Sequence, residues 1–326
     1  MKKVLITGIT GFVGSHLADY LCSVPNIELH GTKRWHLSRM DNVEHIEDRI
    51  TWHDCNILDS TSVRKVVREL KPDIIFHLAS ESFVSPSWDN PREYMDTNYL
   101  GTVNFLDAIK EYAPETEFLI PGSGEEYGLI NPEELPITAN TVLRPVNPYA
   151  VTKVAQDLIG YVYYCSYNLK VYRIRTFNHE GPRREKVFGI SWYAYQIARI
   201  EAGKQEKIVR VGEINDKRNF THVSDVVRAY WLAVQKCEPG KLYLVGSDEN
   251  DKIYTFRKAL EILLEMSTVK GIIYETDSQF IRPTRVPYLI CDTTEFRELT
   301  GWTPAIPFEQ ILSDTLEYWR KRVTKQ

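Results

Sequence analysis

No Cys-x-x-Cys pair, no His-Glu-x-x-His helix and no run near 18 apolar residues occurs in this chain. Its five cysteines, Cys22, Cys55, Cys165, Cys237 and Cys291, are scattered. That argues against a disulfide framework or thiolate metal site, and for reduced thiols in a cytoplasmic protein. The eight histidines show no ligand-pair spacing, so no metal is expected. An excess of positive charge is also missing: the formal net charge is −4, which gives no general pull toward nucleic acid or anionic membrane. The opening MKKVLITGITGFVG is too short and too glycine-broken for a signal peptide, and reads as a first buried strand. There is no internal repeat or low-complexity linker. At 326 residues, 43% hydrophobic and 26% charged, the chain suits one large or two closely joined globular domains with a substantial core.

The first half alternates short apolar runs with amphipathic stretches. Strands are expected at Lys3–Gly8, Ile27–Thr32, Ile50–Asp54, Asp73–His77, Glu117–Pro121 and Val171–Thr176. Helix-like segments such as Ser15–Cys22, Ser62–Leu70 and Leu100–Glu111 separate them. This rhythm predicts an α/β, Rossmann-type doubly wound parallel sheet. Pro121 is tolerable only near the strand's carboxyl end. After about residue 178 the rhythm changes to helices at Ser191–Ala202, Val223–Val234 and Phe256–Glu265 with short strands between. A dinucleotide domain over 1–178, with a return near 222–246 that includes Leu242–Val245, and a smaller, discontinuous α/β substrate lobe over 179–326 follow.

Gly8-x-x-Gly11-x-x-Gly14 closes the first strand and opens a helix, the context a dinucleotide fingerprint demands. The first glycine permits a tight turn, the second a close approach of pyrophosphate, and the third close helix packing. Phe12 and Val13 lie within this turn and are expected at the cofactor. About twenty residues on, an NAD site wants an acid for the ribose diol. Here the strand ends His30-Gly31-Thr32-Lys33-Arg34 without one. Arg34, helped by Lys33, suits a 2′-phosphate, which favours NADP. Asn56 ends the third strand where adenine would lie, and Leu78 and Ala79 end the fourth, small enough for the cofactor to cross. Asn98 is expected to make structural backbone bonds.

Tyr149 and Lys153 stand four apart, which puts phenol and ammonium on one helical face. A nearby cation favours the phenolate and brings it toward acid–base work. Ser123, after the fifth strand, would hydrogen-bond the same reacting oxygen. Glu125, two residues on, is the candidate base for removing a proton from carbon. Glu126, pointing the other way, is expected to be solvent-facing or structural.

With these motifs together, the chain resembles the extended short-chain dehydrogenase/reductases of the nucleotide-sugar branch, and is most similar to GDP-mannose 4,6-dehydratases. The likeness runs almost end to end. It includes Ser123–Gly128, Tyr149–Lys153, Asn178-His179-Glu180-Gly181-Pro182-Arg183-Arg184, Lys217–His222 and Arg282-Pro283-Thr284. The resemblance implies catalytic roles for Ser123, Glu125, Tyr149 and Lys153. It implies His179 at the cofactor, and Ser82, Asn178, Arg184, Arg218 and Arg282 at the nucleotide-diphosphate sugar. Its activity would be NADP-dependent conversion of GDP-mannose to GDP-4-keto-6-deoxymannose. Reduction of that 4-keto product, a 4-epimerase and a non-catalytic NADP-binding protein remain open. Three positions differ from the family pattern: Gly124 replaces a polar residue, Arg285 an acid that helps hold the nucleotide, and Asn56 an acid. The resemblance further implies a homodimer through the helices near Leu100–Glu111 and Tyr149–Tyr167. A tetramer could form through Trp35–Asn42.

Overall fold

Through residue 176 the expected alternation is present in the computed structural model, which describes residues 1–247 and 253–325. The elements are β1 (Lys2–Thr7), α1 (Phe12–Cys22), β2 (Ile27–Lys33), β3 (Thr51–Asp54), α2 (Ser60–Leu70) and β4 (Ile74–His77). Then come α3 (Pro91–Met95), α4 (Gly101–Tyr112), β5 (Glu117–Ser123), α5 (Pro148–Tyr167) and β6 (Lys170–Thr176). Beyond them lie β7 (His179–Glu180), α6 (Gly189–Glu201), β8 (Ile208–Val211), β9 (Lys217–Asn219), β10 (Thr221–His222) and α7 (Val223–Lys236). The chain closes with β11 (Leu242–Val245), β12 (Ile253–Thr255), α8 (Phe256–Met266), β13 (Ile273–Thr276), β14 (Tyr288–Leu289), α9 (Thr294–Thr300) and α10 (Phe308–Lys325).

Seven strands form one parallel sheet in the order β11-β6-β5-β4-β1-β2-β3. The order reverses between β1 and β4, so a crevice opens there at the strands' carboxyl ends. Strand β11 returns beside β6, at the expected Leu242–Val245. Pro121 lies inside β5, which pairs with β6 as far as Ser123↔Thr176. Pairing with β4 stops at Leu119, so the proline sits past the end of one neighbour.

Helices cover both faces of the sheet. On one, α1 and α7 share a core with Val4, Ile6, Ile74 and Leu119. On the other, Val63, Val66, Val67 and Leu70 of α2 pack with Phe105 and Leu106 of α4 against Leu5, Ile75 and Phe118. The i, i+3, i+4, i+7 spacing in α2 is what a one-sided helix requires. Asp59 caps it by accepting from the Thr61 N–H at 3.0 Å. A separate apolar core joins α6, α8 and α10 with Val209 and Val211 of β8. A π turn (Asp96–Leu100) connects α3 to α4 and carries Asn98, which is fully buried. No helix among the described residues is long and apolar enough to cross a membrane.

Candidate active site

Gly8 adopts φ +66°, and a Cβ there would lie 2.7 Å from the Ala79 nitrogen. A Cβ at Gly14 would lie 2.3 Å from the Gly8 carbonyl oxygen. These two contacts draw β1, the start of α1 and the end of β4 together, and no side chain fits between them. At Gly11 the picture differs: a Cβ would meet only the Gly8 oxygen, at 3.1 Å, and otherwise open space. The first turn of α1 has no side-chain cap, so its N–H groups face a cradle suited to a diphosphate. The residues present therefore fit a dinucleotide.

This cradle is one end of a cleft of about 590 Å³ along the carboxyl ends of the strands. Gly8, Gly11, Phe12, Val13, Gly14, Arg34, Asn56, Leu78 and Ala79 line it at the expected cofactor end. The backbone N–H of Ala79 donates to Thr7 Oγ1 at 3.0 Å, locking β4 against β1. Asn56 accepts the Leu58 N–H at 3.1 Å and so shapes its own turn. Arg34 is exposed at the rim, while the Lys33 ammonium lies 5.5 Å from the Trp52 ring centroid. Arg34 thus has the nearer claim to an anion.

Ser123, Glu125, Tyr149 and Lys153 meet further along the same cleft. Asn147, the cap of α5, accepts from the Ala150 N–H at 2.8 Å and donates to Glu125 Oε2 at 3.0 Å. One residue thereby starts the helix that carries Tyr149 and orients the candidate base. Its signal was legible as an Asn-Pro helix start, but its link to Glu125 was not. Arg282 lies 3.7 Å from Glu125 Oε1. Burial pushes the Tyr149 phenol above its ordinary value. A hydrogen bond with Ser123 opposes that shift, while Glu125 and Glu126 add to it. Lys153 is also buried, and burial pulls its ammonium down to about 8 against the raising effect of Glu126 and Asp157. Its Nζ donates to Gln156. The cation that opposes the rise at Tyr149 is Arg184.

Glu126 is not at the surface. Fully buried, it accepts the Ser123 N–H at 2.7 Å and lies 2.7 Å from Arg175 Nε, so the structural alternative holds. The Arg175 contact lies off the N–H direction and acts as a charge pair. Arg175 and Arg173 both grip Asp157, at 2.6 and 2.7 Å. This buried group behind Tyr149 and Lys153 escaped the sequence because its members come from the turn after β5, from α5 and from β6. Asn98 also does structural work, bonding both the N–H and the carbonyl of Glu81, at 2.8 and 3.0 Å.

Ser82, Asn178, His179, Arg184 and Arg282 line the cleft. His179 donates Nδ1–H to the Phe177 carbonyl at 2.9 Å, and burial holds its pKa down near 3, so it is neutral. Its ring is parallel to that of Phe12, with centroids 5.8 Å apart. Arg184 is wedged between Phe12 and Phe188, 5.0 and 3.9 Å from their centroids. Arg218 does not line this cleft. It is buried, donating to the Val286 carbonyl at 2.7 Å and the Lys217 carbonyl at 2.9 Å. Arg285 pairs with Asp216 at 2.6 Å. At Gly124 a Cβ would stand 3.0 Å from the Phe177 ring, so this turn leaves little room for the polar side chain of the family pattern.

Known proteins resemble this chain along nearly its whole length. The GDP-6-deoxy-D-mannose reductase of Pseudomonas aeruginosa is 31% identical over 100% of this chain and 99% of its own. The GDP-mannose 4,6-dehydratase of Yersinia enterocolitica is 28% identical over 96% of this chain and 92% of its own. A solved structure of RMD from Pseudomonas aeruginosa complexed with NADPH superposes with a TM-score of 0.84. It is 29% identical and covers 99% of this chain and 100% of that one. The sequence pattern of GDP-mannose 4,6 dehydratase matches residues 5–315, and the chain belongs to that family of nucleotide-sugar enzymes.

Proposed function

We propose that this chain performs NADP-dependent chemistry at C4 of a nucleotide-diphosphate hexose, and that its net reaction is the 4,6-dehydration of GDP-mannose. The observation that carries the choice of reaction is the Glu125 carboxylate. It lines the same cleft as Ser123 and Tyr149, oriented by Asn147 and faced by a cation, Arg282. A simple carbonyl reductase has no need of a carboxylate base there.

Bound NADP supplies the hydride acceptor at C4 and the donor that returns hydride at C6, so none is consumed. Arg34 would hold its 2′-phosphate, the uncapped start of α1 its pyrophosphate, and Lys153 its nicotinamide ribose. Tyr149 removes the proton of the C4 hydroxyl while Ser123 hydrogen-bonds the same oxygen. The 4-ketone acidifies C5; Glu125 removes that proton and passes it to the C6 hydroxyl, which departs as water, and the proton held by Tyr149 returns to C5 as hydride returns to C6. Ser82, Asn178, Arg184 and Arg282 line the cleft where the sugar diphosphate would lie, and Arg218 is not among its lining residues.

Reduction of GDP-4-keto-6-deoxymannose is the second reading. Gly124 and the likeness to the Pseudomonas reductase favour it, because Gly124 offers no side chain to assist departure of the C6 hydroxyl. The two are separated by offering GDP-mannose with NADP, and the 4-keto sugar with NADPH. A dehydratase gives a product lighter by one water with no net cofactor change; a reductase oxidises NADPH only with the keto sugar. In a dehydratase, Glu125→Gln abolishes water loss yet leaves some reduced cofactor. Full dehydration by that variant overturns the assignment of the base.

A further inference from the structure

Lys153 lies at the cleft, yet no carboxylate among the described residues pairs with its ammonium. Gln156, one turn further along α5, accepts from Lys153 Nζ through its side-chain oxygen. The same amide donates from Nε2 to Thr102 Oγ1 at 2.7 Å. Thr102 in turn donates to the carbonyl of Asn98 at 2.7 Å, in the π turn before α4. Asn98 reaches back to Thr152 Oγ1 of α5 at 2.9 Å and to the carbonyl of Glu81 on the cleft wall. Every side chain in this circuit is buried, and the Gln156 amide is used at both ends. An amide with its donor fixed on Thr102 has its oxygen fixed as well. It cannot flip without breaking a buried hydrogen bond.

We infer that Gln156 is the positioning residue of Lys153: its amide, anchored on Thr102 and Asn98, holds the lysine Nζ on the cleft floor with an uncharged acceptor. The inference rests on the proposed role of Lys153 beside Tyr149. Chemistry explains why the acceptor is neutral. A carboxylate at this place would hold the lysine proton tightly and cancel the positive charge that Lys153 presents to the cleft. An apolar side chain would leave a buried ammonium without its acceptor.

Other titratable groups act near Lys153, and the test has to separate them from Gln156. Glu126 lies in the turn after β5 and Asp157 on α5, each neutralised by Arg175 or Arg173 of β6. His77 of β4 is neutral, its pKa held near 3 first by burial and then by Lys153. None of these changes in a Gln156 variant.

The test uses the full-length protein with Gln156→Glu and Gln156→Leu. The Lys153 titration is followed by the ε-carbon resonance of 13C-labelled lysine without substrate, assigned by its loss in Lys153→Arg. Gln156→Glu raises the lysine pKa by about a unit or more and Gln156→Leu lowers it. The alkaline limb of the pH–rate profile moves in the same opposite directions, and kcat falls roughly tenfold or more in Gln156→Leu. A purely packing role lowers melting temperature in both variants and leaves the lysine titration unmoved, which overturns the inference. Because the resonance is read without turnover, an inactive protein with the opposed shifts overturns the proposed reaction and keeps the Gln156 assignment.

Discussion

Arg34 is where cofactor choice can be tested at a single side chain. In the sequence it stands where an acid would select NAD; in the structure it lies at the cleft rim while Lys33 turns to Trp52. Arg34→Ala is therefore expected to weaken NADP(H) about tenfold or more, as loss of a charge-assisted contact does, and to leave NAD(H) nearly unchanged. Isothermal titration with both cofactors checks this. Equal losses would remove Arg34 from the 2′-phosphate. Residues with a local signature, such as Gly8, Tyr149 and Lys153, were legible because each meets a demand set within one or two turns of chain. The contacts of Asn147, Gln156 and Glu126 were not. Each owes its role to a partner brought from another element, and an Asn, Gln or Glu looks the same in sequence whatever it will touch. Arg218 marks the opposite limit: the motif around it was visible, but not that its guanidinium would be spent on backbone carbonyls.

At the scale of elements, hydrophobic periodicity gave the strand and helix order, including the return of β11, because a buried parallel strand must be apolar throughout. The two-residue strands β7, β10 and β14 carry no periodicity, and pairing alone makes them strands. The joint between β1 and β4 makes a testable element. His77 Nδ1 bonds Thr7 Oγ1 at 3.0 Å, and its ring lies 5.0 and 5.4 Å from those of Phe105 and Phe118. Burial, then Lys153, lowers its pKa from 6.5 to about 3, so the unfolded chain binds a proton that the folded chain refuses. Stability from this group is complete above pH 6.5 and is lost as pH falls toward 3. Glu126 and Glu180, raised to about 7 chiefly by burial, work in the opposite direction down to about 4.5. Comparison of parent and variant isolates the histidine. His77→Gln, which cannot charge, is expected to show a shallower decline of urea midpoint between pH 6 and 4 than the parent. Parallel declines would show that His77 does not carry this acid sensitivity.

The whole molecule presents a feature that a single subunit does not explain. Helix α5 buries Tyr149, Lys153, Gln156, Gly160 and Tyr163 against its own sheet. Its opposite side exposes Val151, Leu158 and Val162, which lie within about 40° on a helical wheel, with Tyr161 beside them. Each is 44–47% exposed, and Leu100, at 45%, precedes α4. A helix apolar on both sides calls for a second partner. We propose that two copies pair α4 and α5 about a two-fold axis, which buries the same stripe from each. The structure also refines where to test it. Tyr163 is buried and donates to Asp107 at 2.7 Å, so a charge there would damage the subunit itself rather than probe an interface. Leu158→Asp is the better probe. The parent is expected to sediment as a dimer at micromolar concentration. The variant is expected to do so as a monomer, with a far-ultraviolet circular dichroism spectrum unchanged from the parent's. A monomeric parent refutes the dimer, and a dimeric Leu158→Asp moves the interface off this stripe. Trp35 and Leu37, 70% and 66% exposed in the loop after β2, are the next apolar surface. If the parent proves larger than a dimer, Trp35→Ser is expected to return it to two subunits. Failure to do so takes that loop out of the assembly.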